Sequence, residues 1–88
     1  MNTHFFAASL NQDIPTIDLH GIGNITSALE QLERQLFSFY TDKQKHCRVI
    51  YGIGEGILAK NVQTALNKNP MVLDWKHEDT GGSCIVLL

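Results

Sequence analysis

The sequence predicts one α/β domain of the α+β kind: a two-layer sandwich in which a mixed four-stranded sheet carries two helices on one face, in the order βαβαββ. Three observations predict it. Two short apolar runs, around Ile17 and around Val49, each break into glycine just before a stretch with helical spacing. The chain then ends in two more strand-like runs joined by a turn containing Gly81 and Gly82. Its 88 residues leave room for a single core, because a second one would be too small to stand alone.

Residues 1–15 show no clean periodicity and read as a tail or a short packing segment, with the domain proper at 16–88. From Thr16 to His20, apolar Ile17 and Leu19 alternate with polar Asp18 and His20, the period-two pattern of a strand with one covered face. Asp18 and His20 then share the other face. Gly21 and Gly23 end the strand, and Asn24 is a good helix N-cap because its side chain can accept a bond from an orphan amide. Ser27 with Glu30 offers an alternative capping box. Ile25, Ala28, Leu29, Leu32, Leu36, Phe39 and Tyr40 then recur at helical spacing, with Glu30, Glu33 and Arg34 on the opposite face. Phe37, like Phe39 and Tyr40, is expected in the core.

A polar connection, 41–45, leads into a strand at Cys47–Tyr51, which Gly52, Gly54 and Gly56 terminate. A second helix is expected from Ile57 to Asn67 with Leu58, Val62, Ala65 and Leu66 inward, stopped by Asn69-Pro70. Val72–His77 and Cys84–Leu88 read as the last two strands. A β-helix-β step makes its two strands parallel through a right-handed crossover, whereas the short final turn suits an antiparallel hairpin. Parallel strands share an end. The glycine exits after His20 and Tyr51 therefore lie side by side at the carboxyl edge, where open α/β sheets commonly bind ligands.

Composition narrows the function classes. With 43% apolar and 18% charged residues the chain is globular, and no apolar run approaches the roughly 20 residues of a membrane span. No membrane partner is expected. The N-terminal residues lack the basic start and long apolar core of a signal peptide, so a cytoplasmic location is the expectation. A net charge of −2 excludes a strongly basic nucleic-acid-coating protein. Lys43, Lys45, His46 and Arg48 form a local basic cluster, read either as a contact patch or as a solvated turn entering a strand. Cys47 and Cys84 lack the paired spacing of a zinc site or disulfide framework and read as small buried strand residues.

Two segments can carry chemistry. Asp18 and His20 read as a general base with its orienter, as ligands to a divalent ion completed by Glu55, or as a structural surface pair. The GIGEG loop, Gly52 to Gly56, reads as a phosphate-approaching turn or as a tight turn needing glycine for its shape. It matches neither GxxxxGK[ST] nor GxGxxG. Glu55 sits awkwardly beside a phosphate unless a cation lies between them. His4, His46 and His77 have no partner at ligand spacing, and Trp75 reads as core or sheet-face packing.

Taken together, the motifs resemble the Smr (small MutS-related) domain family. Ile17-Asp18-Leu19-His20-Gly21 matches its LDxH-type motif with a conservative Ile, and Gly52, Gly54, Gly56 and Leu58 match its HGxGxG motif at the right spacing. Pro70, the next strand, the Gly-Gly turn and the last apolar strand agree as well. The resemblance implies a sandwich like the carboxyl-terminal domain of translation initiation factor three. It also implies binding to branched or structured DNA or to RNA, with nicking endonuclease activity stimulated by Mg²⁺ or Mn²⁺ in several members and no organic cofactor. Carried over, Asp18 and His20 are the catalytic pair, Gly21, Gly52, Gly54, Glu55, Gly56 and Lys60 the phosphate-binding set, and Asp18 and Glu55 the candidate metal ligands. A larger MutS-like or ribosome-associated partner is implied too. The alternative is a non-catalytic nucleic-acid or protein interaction module that keeps the fold. Three positions depart from the family pattern: Tyr51 for the usual His, Glu55 for the common Thr, and Ala59 for a frequent basic residue.

Overall fold

The structure is a computed structural model and describes residues 14–54 and 56–88. The N-terminal tail reading, together with Glu55 and its expected roles, therefore falls mostly or wholly outside the described residues. Strand β1 runs Thr16–Asp18, helix α1 Ile25–Thr41, β2 His46–Ile50, α2 Ile57–Lys68, β3 Asp74–His77 and β4 Ser83–Leu87. The sheet order is β1-β2-β4-β3. β1 pairs with β2 in parallel, Asp18 opposite Ile50, and β4 lies antiparallel to both β2 and β3.

Alternation along the strands divides the sheet into two faces. Ile17, Leu19, Cys47, Val49, Tyr51, Cys84 and Val86 point into one buried cluster with Ala28, Leu32 and Leu36 of α1 and Val62 and Leu66 of α2. Both helices thus cover the same face. Asp18, Arg48, Ile50 and Ile85 belong to the other face, where Ile85 is buried against Ile14. Both thiols lie fully inside the core, and burial pushes each up to about 12, which keeps them protonated and unreactive at neutral pH.

Local chemistry sets the element ends. The Asn24 side chain accepts from the Ser27 amide at 2.8 Å, so Asn24 rather than the Ser27–Glu30 box caps α1. At the other end Lys43 donates its amide to the Tyr40 carbonyl and Gln44 to that of Phe39, both at 3.0 Å. This is a Schellman closure with Lys43 in the left-handed region at φ 64°.

Two core expectations are corrected. Phe37 and Tyr40 are 60% and 51% exposed, and of the three aromatics only Phe39 packs against the core. The reason is angular: Leu36 and Phe39 continue the stripe of Ala28 and Leu32, whereas Phe37 and Tyr40 each lie one step of about 100° beyond a core-facing residue.

Candidate functional site at the carboxyl edge of the parallel strands

The site begins where β1 ends. The Leu19 amide donates to the Ile50 carbonyl at 2.8 Å, carrying the parallel pairing one residue past the strand and leaving His20 at its carboxyl edge. His20 stays on the face of Asp18. Its Nδ1 lies 2.5 Å from Asp18 Oδ1, which also accepts the His20 amide at 3.1 Å. An ionised carboxylate only accepts, so Nδ1 carries the proton and Nε2 is the ring atom left facing outward. The bond from the His20 side chain holds the Asp18 carboxyl below its ordinary range. Both side chains are well exposed.

The second motif meets the first directly. Gly52 has φ +83°, and a Cβ built there would stand 3.2 Å from the Cβ of His20. Gly82 closes the arrangement from the β3–β4 turn: its carbonyl accepts the amides of both Tyr51 and Gly52 at 2.9 Å. A Cβ on Gly82 would press on Ile53 Cγ1 at 3.2 Å and on the Gly52 carbonyl carbon at 3.3 Å. Three glycine-bearing segments, far apart in sequence, thus converge on one edge.

The remaining sequence-derived candidates are dispersed. The Gly52 amide is committed to Gly82, so it is not offered to a phosphate as the loop reading expected. Gly21, Gly54 and Gly56 are exposed, Gly21 and Gly56 with positive φ. Lys60 is exposed on α2, and it lines neither cavity that the glycine loop borders. Tyr51 faces the helix layer, where its hydroxyl meets His77 Nδ1 at 2.7 Å. Its substitution for a family His therefore leaves the face that carries His20 unaltered, while Tyr51 borders the glycine loop from the helix side. His77 in turn contacts Gln63 through Nε2 at 2.9 Å, and Trp75 Nε1 donates to Asn67 Oδ1 at 2.7 Å.

Sequence reasoning missed the network facing His20. Arg48 donates from Nε to Glu78 Oε1 at 2.7 Å and from Nη2 to Oε2 at 3.2 Å, and Ser83 Oγ donates to Oε1 at 2.8 Å. Of the basic cluster, Arg48 joins this face while Lys43 and Lys45 stay at the far end of β2. The alternation of β2 carried the signal, since Arg48 and Ile50 fall opposite Thr16 and Asp18.

As a metal centre the donor set falls short. Among the described residues no three of His, Cys, Asp and Glu gather at ligand spacing, and the Asp18 oxygen nearest His20 is already taken by it. Glu55, the other candidate ligand, lies outside the described residues; an ion bound through Asp18 alone would need phosphate oxygens to fill its shell. Nor is any helix among the described residues long and apolar enough to cross a membrane.

Comparison with known proteins identifies related domains. The family model for the Smr domain matches residues 17–88. Endonuclease MutS2 of Halothermothrix orenii is 32% identical over 75 residues, a match covering 83% of this chain and 9% of that protein. The crystal structure of the Smr domain of Thermus thermophilus MutS2 superposes with a TM-score of 0.79, covering 84% of this chain and 96% of that one at 22% identity. That likeness shows the fold: a mixed four-stranded sheet with two helices.

Proposed function

The chain belongs to the Smr domain family, and we propose that it binds structured nucleic acid and cleaves a phosphodiester at the Asp18–His20 pair. The observation that carries this reading is the 2.5 Å contact between His20 Nδ1 and Asp18 Oδ1. It fixes the tautomer in which Nε2 takes a proton from the attacking oxygen, water on DNA and water or the 2′-hydroxyl on RNA, while Asp18 orients the ring and stabilises the imidazolium that forms; as the P–O ester bond breaks, that proton passes to the departing oxygen. The relative from H. orenii is named an endonuclease, but this chain spans only 9% of its length. The activity is accordingly proposed on the residues themselves.

Incubation of the purified chain with supercoiled plasmid and with structured RNA, each with and without Mg²⁺ or Mn²⁺, tests the proposal. Nicked or shortened product is expected, and His20→Ala is expected to slow it by about 100-fold or more. Absence of product from every substrate, or unchanged rates in both His20→Ala and Asp18→Ala, defeats the catalytic reading.

A second reading, binding without turnover, is favoured by the Arg48–Glu78 pair. Arg48 is the one Lys or Arg side chain among the described residues lining the cavity beside His20, and Glu78 neutralises it. Few phosphate contacts give weak binding with a shallow salt slope. Salt-dependent association with no cleavage would establish this reading instead.

A further inference from the structure

We propose that the cavity beside His20, floored by Ile50 and walled by Ile53, receives an unpaired nucleobase adjoining the phosphate that His20 engages. The inference rests on the nucleic-acid reading above and specifies what part of the strand the site takes. The cavity is a depression open to solvent and holds about 630 Å³, within the roughly 300–1,000 Å³ of small-molecule sites. His20 and Gly52 form one side of it, and Arg48, Glu78 and Ser83 the other.

Ile53 is the most telling member. It is 84% exposed, the most exposed of the large apolar side chains among the described residues, and so contributes little to the core. Its position is nonetheless fixed. The Gly82 carbonyl pins the two preceding amides, and the missing Cβ of Gly82 leaves the space against which Ile53 Cγ1 rests. An apolar side chain carried on a pinned backbone offers a flat ring a contact surface at a reduced ordering cost.

Charge distinguishes a base from a second phosphate. Arg48 and Glu78 are joined through two hydrogen bonds and Ser83 adds a third, so among the described residues the cation of that wall is matched by a carboxylate. Such a wall gives an additional phosphate little attraction, whereas a base presents an apolar face to Ile50 and Ile53 and polar edges to the ion pair and hydroxyls. In a duplex those faces are already stacked and the pairing edges covered, so the occupant is an unstacked base from a loop, junction or single strand.

The test uses charge-matched pentanucleotides, oligoadenylate in deoxy and ribo form and the corresponding oligomers lacking every base, titrated into the full chain at low salt with NMR detection. With the base-bearing strands, the methyl signals of Ile50 and Ile53 shift together with the His20 ring and the Gly52 amide. The abasic strands are expected to bind about tenfold more weakly, moving His20 and Gly52 but not the two methyls. Ile53→Ala, at an exposed position that leaves the core intact, brings the base-bearing strand down to the abasic affinity. The deoxy and ribo series identify the preferred sugar, and base dependence in either supports the proposal. Equal affinities with silent methyls overturn the base subsite and leave the phosphate reading standing. Failure of every strand to bind overturns both.

Discussion

His20 and Gly52 are in contact across the sheet edge: any Cβ at Gly52 would stand 3.2 Å from the Cβ of His20, on a backbone whose φ is +83°. Gly52→Ala thus meets two penalties, a left-handed conformation that an L side chain adopts at a cost and a collision with the imidazole-bearing residue. A loss of about 1–3 kcal/mol in urea unfolding is expected, with cleavage reduced more than stability because His20 must shift. Gly54→Ala is the control. Its added Cβ meets no heavy atom within 4 Å, and its unfolding midpoint should stay close to that of the wild type.

That contact also shows what could be read from the sequence. Alternation through Ile17-Asp18-Leu19-His20 and the parallel pairing forced by α1 were sufficient to bring the two glycine motifs to one edge. The third participant, Gly82, was visible only as a turn residue, because its approach to Gly52 depends on the register of β2 against β4, which no local pattern encodes. The Arg48–Glu78 pair was hidden for the same reason: its members lie on strand β2 and beyond strand β3, with β4 between those strands. Phe37 and Tyr40 misled because aromatic character at the end of an apolar helix was read as core, although each follows a core-facing residue by one helical step of about 100°.

The Asp18–His20 bond makes a titration prediction. In the folded wild type the Asp18 carboxyl is held below its ordinary value of 3.8, chiefly by the His20 side chain. A depressed folded-state value means that the stabilisation is present above the unfolded carboxyl range and is lost as pH falls through the folded value. His20→Ala should therefore move the Asp18 titration, followed through its side-chain carboxyl carbon by NMR, upward toward 3.8. An unmoved titration would show that His20 does not hold the carboxylate in solution.

Lys43 occupies the position after the α1 cap that glycine ordinarily fills, with φ at 64°. Removing the Cβ relieves a left-handed penalty of roughly 1–2 kcal/mol, partly offset by the greater freedom of glycine in the unfolded chain and by loss of a cation near the helix C-terminus. Lys43→Gly is expected to raise stability by about 0.5–1 kcal/mol in urea unfolding, whereas Lys43→Ala, which keeps the Cβ, should give no such gain.

Tyr51 separates fold from function, since it belongs to the second motif by sequence yet turns its ring into the helix layer. Its hydroxyl meets His77 Nδ1 at 2.7 Å and the two rings pack edge to face with centroids 6.1 Å apart. Tyr51→Phe keeps the ring contact and removes the hydrogen bond, so a loss of about 0.5–1.5 kcal/mol is expected. The bond lies on the opposite side of the sheet from His20, and the backbone amide that anchors Gly82 is untouched. Strand binding and cleavage should accordingly match the wild type at temperatures where the variant remains folded. A variant of normal stability that had lost activity would instead place the Tyr51 hydroxyl in the working site.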